Sequence, residues 1–186
     1  MKLTDYQLRF YNTFGFLSFP GLFRDEIEAI IDAFERVWTE SGLTHDLNRT
    51  SAIVPFAESN SEDLSRLLED PRIDGVVSSI LGDDYNYYTS NGSYYVGDTD
   101  WHSDHQTNWP YHSLKIGFYL DPTRRDSGGL RVIPGSCHHG DYYTSAFDPV
   151  HDLPKGTRSD NVWGVHGSDL PAQDLESEPG DMLLFN

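Results

Sequence analysis

Apolar residues recur at helical spacing through the first part of the chain and at strand spacing after it. Ile27, Ile30, Ile31, Phe34, Val37 and Trp38 fall on one face of a 3.6-residue period, the strongest helix signal in the sequence. Asp25, Glu26 and Glu28 lie in its first turn, where the helix dipole favours acids, and Gly42 follows its end. An earlier helix is predicted from a cap at Thr4 or Asp5 to about Phe14, closed by Gly15. Phe16-Leu17-Ser18-Phe19, stopped by Pro20-Gly21, predicts a short strand. Residues 43–60 read as loop. Asn60 or Ser61 can cap a helix carrying Leu64, Leu67 and Leu68, which Pro71 breaks, and a further helical stretch from Ile73 to Leu81 ends at Gly82.

From Tyr85 onward the texture changes to short strands between turn residues. Strands are predicted at Tyr85–Thr89, Gly92–Val96, Asp100–Asp104, Ser113–Leu120, Leu130–Ile133 and Met182–Phe185. Ser90-Asn91-Gly92, Asp126-Ser127-Gly128-Gly129, Pro134-Gly135 and Pro179-Gly180-Asp181 supply turn chemistry. Strands at this spacing imply a sandwich or barrel. Residues 141–178 carry few apolar anchors and read as a long loop or a surface insertion. The expectation is one domain over residues 1–186, mostly β with flanking helices: a helical part over 1–82 packed on a β-core over 83–186.

Composition narrows the class. Thirteen Lys and Arg against 30 Asp and Glu give a formal charge of −17, which repels phosphate backbones and anionic membranes and argues against both as partners. The single Cys137 allows neither an internal disulfide nor a cysteine zinc site. No signal-peptide pattern opens the chain and no apolar run approaches a membrane span, so a cytoplasmic protein is expected.

The chemistry sits in Asp100-Trp101-His102-Ser103-Asp104-His105. On a strand, residues i and i+2 share a face, so His102 and Asp104 present an imidazole and a carboxylate side by side. Such a pair, joined by a second His, makes the facial triad that holds non-heme Fe(II) with open positions for substrates. His105 points the other way, and Asp100 shares the face two residues further back. The bland alternative is a surface His beside a solvated Asp. Thr89, Asn91 and Ser93 alternate onto one face of the preceding strand region. Lys115 and Tyr119 share one face of the next strand, with Ile116, Phe118 and Leu120 on the other. If that apolar face meets the helices, Lys115 points into the barrel and can pair with a carboxylate; otherwise it is an exposed, snorkelling side chain. Arg131, opposite in facing to Leu130 and Val132, contacts substrate or pairs with an acid.

His102-Ser103-Asp104, the strand ending Tyr119-Leu120-Asp121 and the run Gly128-Gly129-Leu130-Arg131-Val132-Ile133-Pro134-Gly135-Ser136 together resemble the phytanoyl-CoA dioxygenase family. The opening from Phe10 to Phe23 and the late strand Pro179-Gly180-Asp181-Met182-Leu183-Leu184-Phe185 match as well. The resemblance implies a double-stranded β-helix, a jelly roll of the cupin type. It implies Fe(II), with 2-oxoglutarate as cosubstrate and O2, and hydroxylation of a small molecule at an unactivated C–H bond. His102 and Asp104 match its first two metal ligands and are the expected catalytic pair. Relatives with a small residue in place of that Asp are halogenases, so Asp104 favours hydroxylation. Asn91 and Ser93, with Lys115 and Tyr119, are the residues expected to contact 2-oxoglutarate.

The chain departs from the family at Cys137, where a His is usual, and a tolerated surface-turn variant is expected there. In the family the distal His and an Arg that binds 2-oxoglutarate follow the strand matching Met182–Phe185. The β-helix is therefore expected to be incomplete at the C-terminus. The coding sequence is expected to continue past Asn186, and the 186-residue chain alone to be a poor catalyst. His166, in His166-Gly167-Ser168, is the weaker substitute for the distal His, and His112, His138 and His139 are weaker still. The alternative function is a non-catalytic jelly-roll remnant that binds a ligand or partner. The substrate and oligomeric state are not legible.

Overall fold

A computed structural model describes residues 1–97, 99, 101–102, 112–138 and 171–186. Helix α1, Asp5–Phe14, opens on a capping box: Gln7 N–H donates to Thr4 Oγ1, and Gln7 Oε1 accepts from the Thr4 N–H. It closes at Gly15, which adopts φ 83° and donates its N–H to the Tyr11 carbonyl. Strand β1, Phe16–Phe19, buries Leu17 and Phe19, as its alternation requires. Helix α2, Ile27–Glu40, buries Ile27, Ile30, Ala33, Val37 and Trp38. Then come β2 (Ser51–Ile53), α3 (Ala57–Asn60), α4 (Glu62–Ser65), a 3-10 turn (Arg66–Glu69) and α5 (Pro71–Leu81). Strands β3 (Gly92–Tyr94), β4 (Lys115–Phe118), β5 (Leu130–Val132), β6 (Gln173–Leu175) and β7 (Met182–Phe185) complete the described elements.

Among the described residues the strands pair as an antiparallel sheet in the order β1-β7-β4 and two antiparallel two-stranded sheets, β2-β3 and β5-β6. Register gives the sheet two faces. Leu17, Leu184 and Ile116 form one row and Phe19, Met182 and Phe118 the next. These rows pack against the α2 stripe and α5 in one core that holds Phe23, Trp38, Val76, Met182 and Leu184. The stripe therefore covers the sheet, as its periodicity predicts. The other face carries Phe16, Phe185 and Lys115 in one row and Ser18, Leu183 and Gly117 in the next.

Several expectations are corrected. Residues 85–89 form no strand; the Tyr87 and Thr89 hydroxyls donate to Glu58 of α3 and the Tyr85 hydroxyl to Asp74 of α5. Residues 43–60 hold β2 and α3 rather than loop alone. Pro71 is the first residue of α5 rather than only a stop, because a missing N–H costs nothing in a first turn, and Asp70 caps it by accepting from Arg72 N–H at 2.8 Å. Trp101 and His102 lie outside any strand, and the rest of the expected 100–104 strand, except for these two, lies outside the described residues. The described strands form small sheets and no closed barrel. Cys137 lies half-buried in a turn, where a Cβ on Gly15 would come within 2.7 Å of its Sγ.

Two turns lock the sheet to the start of the chain. Asp181, 8% exposed, accepts from Gly21 N–H at 2.6 Å and from Glu178 N–H at 2.9 Å. Gly180 takes φ 94°, and a Cβ there would meet the Arg24 backbone at 2.9 Å. Two charge-assisted hydrogen bonds inside the fold predict that Asp181→Ala lowers stability by about 3 kcal/mol. Urea unfolding should show a lower midpoint with an unchanged slope; an unmoved midpoint would mean that the two turns dock without this carboxylate.

Candidate active site

Strand β3 positions the first candidate residues. Its Gly92 faces Phe56 so closely that a Cβ would lie 2.5 Å from the ring. Tyr94, on the same side, stacks within an aromatic group, 4.7 Å from Trp38 and 5.4 Å from Phe34 between ring centroids. Its hydroxyl donates to Glu35, and burial, followed by that bond, raises its pKa. Alternation therefore turns Asn91 and Ser93 to the other side, where Asn91 Nδ2 donates to Ser93 Oγ at 3.4 Å. Thr89 does not join them; its hydroxyl donates to Glu58 at 3.1 Å.

Glu58 is the residue sequence reasoning missed. Its carboxylate accepts from the Ser90 hydroxyl, from Tyr87 OH at 2.8 Å, from Thr89 and from Ser90 N–H at 3.3 Å. Burial pushes its pKa up, but the bonds from Ser90 and Tyr87 outweigh it and bring the carboxyl down to about 2. No spacing rule links Glu58 to residues some thirty positions on, so no local signal marks it.

His102 is exposed, and Trp101 before it is half-buried. The Arg131 guanidinium lies 5.4 Å from the Trp101 ring centroid, and its Nε donates to Asp174 at 2.9 Å. Arg131 and Asp174 are direct partners in the β5-β6 register. Arg131 thus pairs with an acid, one of its two expected roles, and holds the residue beside His102 as it does so. Asp104 lies outside the described residues, as do Asp100, His105, His139 and His166. His112 is exposed, and His138 Nε2 sits 3.1 Å from the Thr13 carbonyl at the end of α1. Among the described residues no three His, Cys, Asp or Glu side chains group as a metal site. One imidazole suits iron as a donor but is no complete ligand set.

Lys115 and Tyr119 lie on the face of β4 turned away from the helices, because Ile116, Phe118 and Leu120 pack on the core. Lys115 is exposed and Tyr119 half-buried. The Tyr119 ring crosses Gly117, where a Cβ would lie 3.6 Å from its Cε2.

Residues 11–186 match the phytanoyl-CoA dioxygenase (PhyH) family, and the chain belongs to it. It is 25% identical over 178 residues to the ectoine dioxygenase of Bordetella bronchiseptica, covering 86% of this chain and 57% of that protein. The corresponding protein of Bordetella parapertussis matches equally. The chain thus spans little more than half the length of these curated relatives. HygX from Streptomyces hygroscopicus, solved with nickel and 2-oxoglutarate, superposes with TM-score 0.71 at 21% identity, over 100% of this chain and 78% of that one. EctD from S. alaskensis, solved with 2-oxoglutarate and 5-hydroxyectoine, gives 0.68 at 20% identity, over 99% and 67%. The chain shares their fold.

The Glu58 bonds predict a signature in acid. The carboxyl ionises more easily folded than unfolded, so its contribution is fully present above the ordinary value of 4.5 and is lost as pH falls from there towards about 2. Glu58→Gln should flatten the pH dependence of unfolding in that window and leave it unchanged near neutrality. Identical slopes for both proteins would show that the carboxylate is not held this way.

Proposed function

We propose that the protein is an Fe(II)- and 2-oxoglutarate-dependent oxygenase that hydroxylates a small molecule. The observation that carries this reading is the family match over residues 11–186. It is supported by a fold shared with HygX and EctD, which were solved with 2-oxoglutarate. In this reading the small sheets are parts of a double-stranded β-helix, and the face of β1-β7-β4 turned from the helices is its inner one. Fe(II), when bound, lets O2 oxidise 2-oxoglutarate to succinate and CO2, with one oxygen atom passing to a substrate C–H bond.

The chain's own residues take these roles. His102, through one ring nitrogen, and the Asp104 carboxylate would hold the metal. Asp104, an acid rather than a small residue, keeps a protein ligand where a halide would otherwise enter. Lys115 supplies a cation to a carboxylate of 2-oxoglutarate. Asn91, Ser93 and Tyr119 supply neutral hydrogen-bond donors that orient it without adding charge. Arg131 holds Trp101 and so restrains the backbone that carries His102.

The test is 2-oxoglutarate binding in the presence of Ni(II), and succinate release with Fe(II) under air. Protein expressed from its whole natural coding sequence should do both, and His102→Ala or Asp104→Ala in it should lower turnover by about 100-fold. Protein that binds a small ligand but neither binds nor consumes 2-oxoglutarate would instead be a binding module on the same fold.

A further inference from the structure

We infer that Glu58 is a positioning residue for 2-oxoglutarate, acting through Asn91; this rests on the oxygenase reading above. Asn91 sits between two fixed points. On its N-terminal side Ser90 is clamped to the start of α3. The Ser90 hydroxyl and N–H donate to Glu58, its Oγ accepts from Ala57 N–H at 2.9 Å, and its carbonyl accepts from Phe56 N–H at 3.2 Å. On its C-terminal side Gly92 is pressed on the Phe56 ring and paired with Ile53. The clamp therefore sets the backbone from which Asn91 projects, and through the 3.4 Å bond also the Ser93 hydroxyl.

Glu58 is suited to this task by its number of acceptors. Three hydroxyls and one backbone N–H converge here, from Tyr87, Thr89 and Ser90. A carboxylate has two oxygens with about four lone-pair sites, and four donors fill them here. An amide at the same place accepts through one oxygen only and turns two N–H groups on Tyr87, Thr89 or Ser90. Glu58 itself is too committed to those donors to meet the ligand directly, so its effect passes through the loop.

Three proteins are compared at neutral pH: wild type, Glu58→Gln and Ser90→Ala. Each is measured for 2-oxoglutarate affinity with Ni(II), for KM and kcat in 2-oxoglutarate-dependent succinate release, and for amide hydrogen exchange over residues 89–94. Glu58→Gln should raise the dissociation constant and KM for 2-oxoglutarate by about 10-fold or more, leave kcat within about twofold, and speed exchange at residues 89–94. Ser90→Ala removes two of the clamp's contacts while keeping the carboxylate, and should move the same quantities in the same direction by less. It also serves as the test if Glu58→Gln fails to fold. A loss of kcat with unchanged affinity, or faster exchange with unchanged affinity, overturns the role while leaving the oxygenase reading intact. Wild-type protein that neither binds nor consumes 2-oxoglutarate overturns that reading and this role with it.

Discussion

Strand β7 lies between β1 and β4, and every row of the sheet passes through it. Met182, Leu183 and Leu184 are each 0% exposed, so both of its faces are covered. That burial explains its continuous apolar run, which a half-exposed strand would interrupt with polar residues. Its partner β1 is reached only by closing a loop of some 160 residues, an entropic cost that a short strand pair does not offset by itself. The Asp181 carboxylate and the Gly180 contact with Arg24 sit at this junction and supply the directional part of the closure. The Pro-Gly-Asp sequence is thus a docking element for the Pro20-Gly21 turn as well as a local turn.

The elements legible in the sequence are those decided by local physics. Thr4 and Gly15 bound α1 through capping geometry that a few residues determine, and the α2 stripe reports a face that any core would bury. The misread elements depend on partners distant in sequence. Tyr85–Thr89 has the composition of a strand, but its hydroxyls are tied to Glu58 and Asp74 on two helices. Strand β6, Gln173–Leu175, is mostly polar and pairs with β5 by setting Asp174 against Arg131 and the buried Leu175 against Leu130. Neither fact has a periodicity to read.

The candidate site divides along the same line. That Asn91 and Ser93 share a face follows from alternation, and the structure confirms it by placing Gly92 and Tyr94 against Phe56 and Trp38. Ile116 and Phe118 pack on the helical core, and Lys115, on the opposite face of the sheet, is exposed. What alternation cannot supply is the layer behind these residues: the Glu58 clamp and the Arg131–Asp174 pair under Trp101. Both are long-range contacts between polar side chains, and a sequence with 30 acids offers too many equivalent partners to choose among.

That excess of acid gives the arginines particular weight. Arg72 is paired with Asp70 and Glu26, donates to the Leu22 carbonyl and lies 4.0 Å over the Phe23 ring, joining α5 to the turn before α2. Arg124 joins Thr123, Ser177 and Glu178 where β6 leads into β7. Arg131 joins β5, β6 and Trp101. The planar forks of Arg72 and Arg124 each bond several carboxylate or carbonyl oxygens from separate segments at once. Exposed ion pairs contribute little singly. Arg72 stands at a junction where removing the cation would leave Asp70 and Glu26 unopposed. With a net charge of −17, that repulsion acts against the same closures that place the candidate site on the sheet.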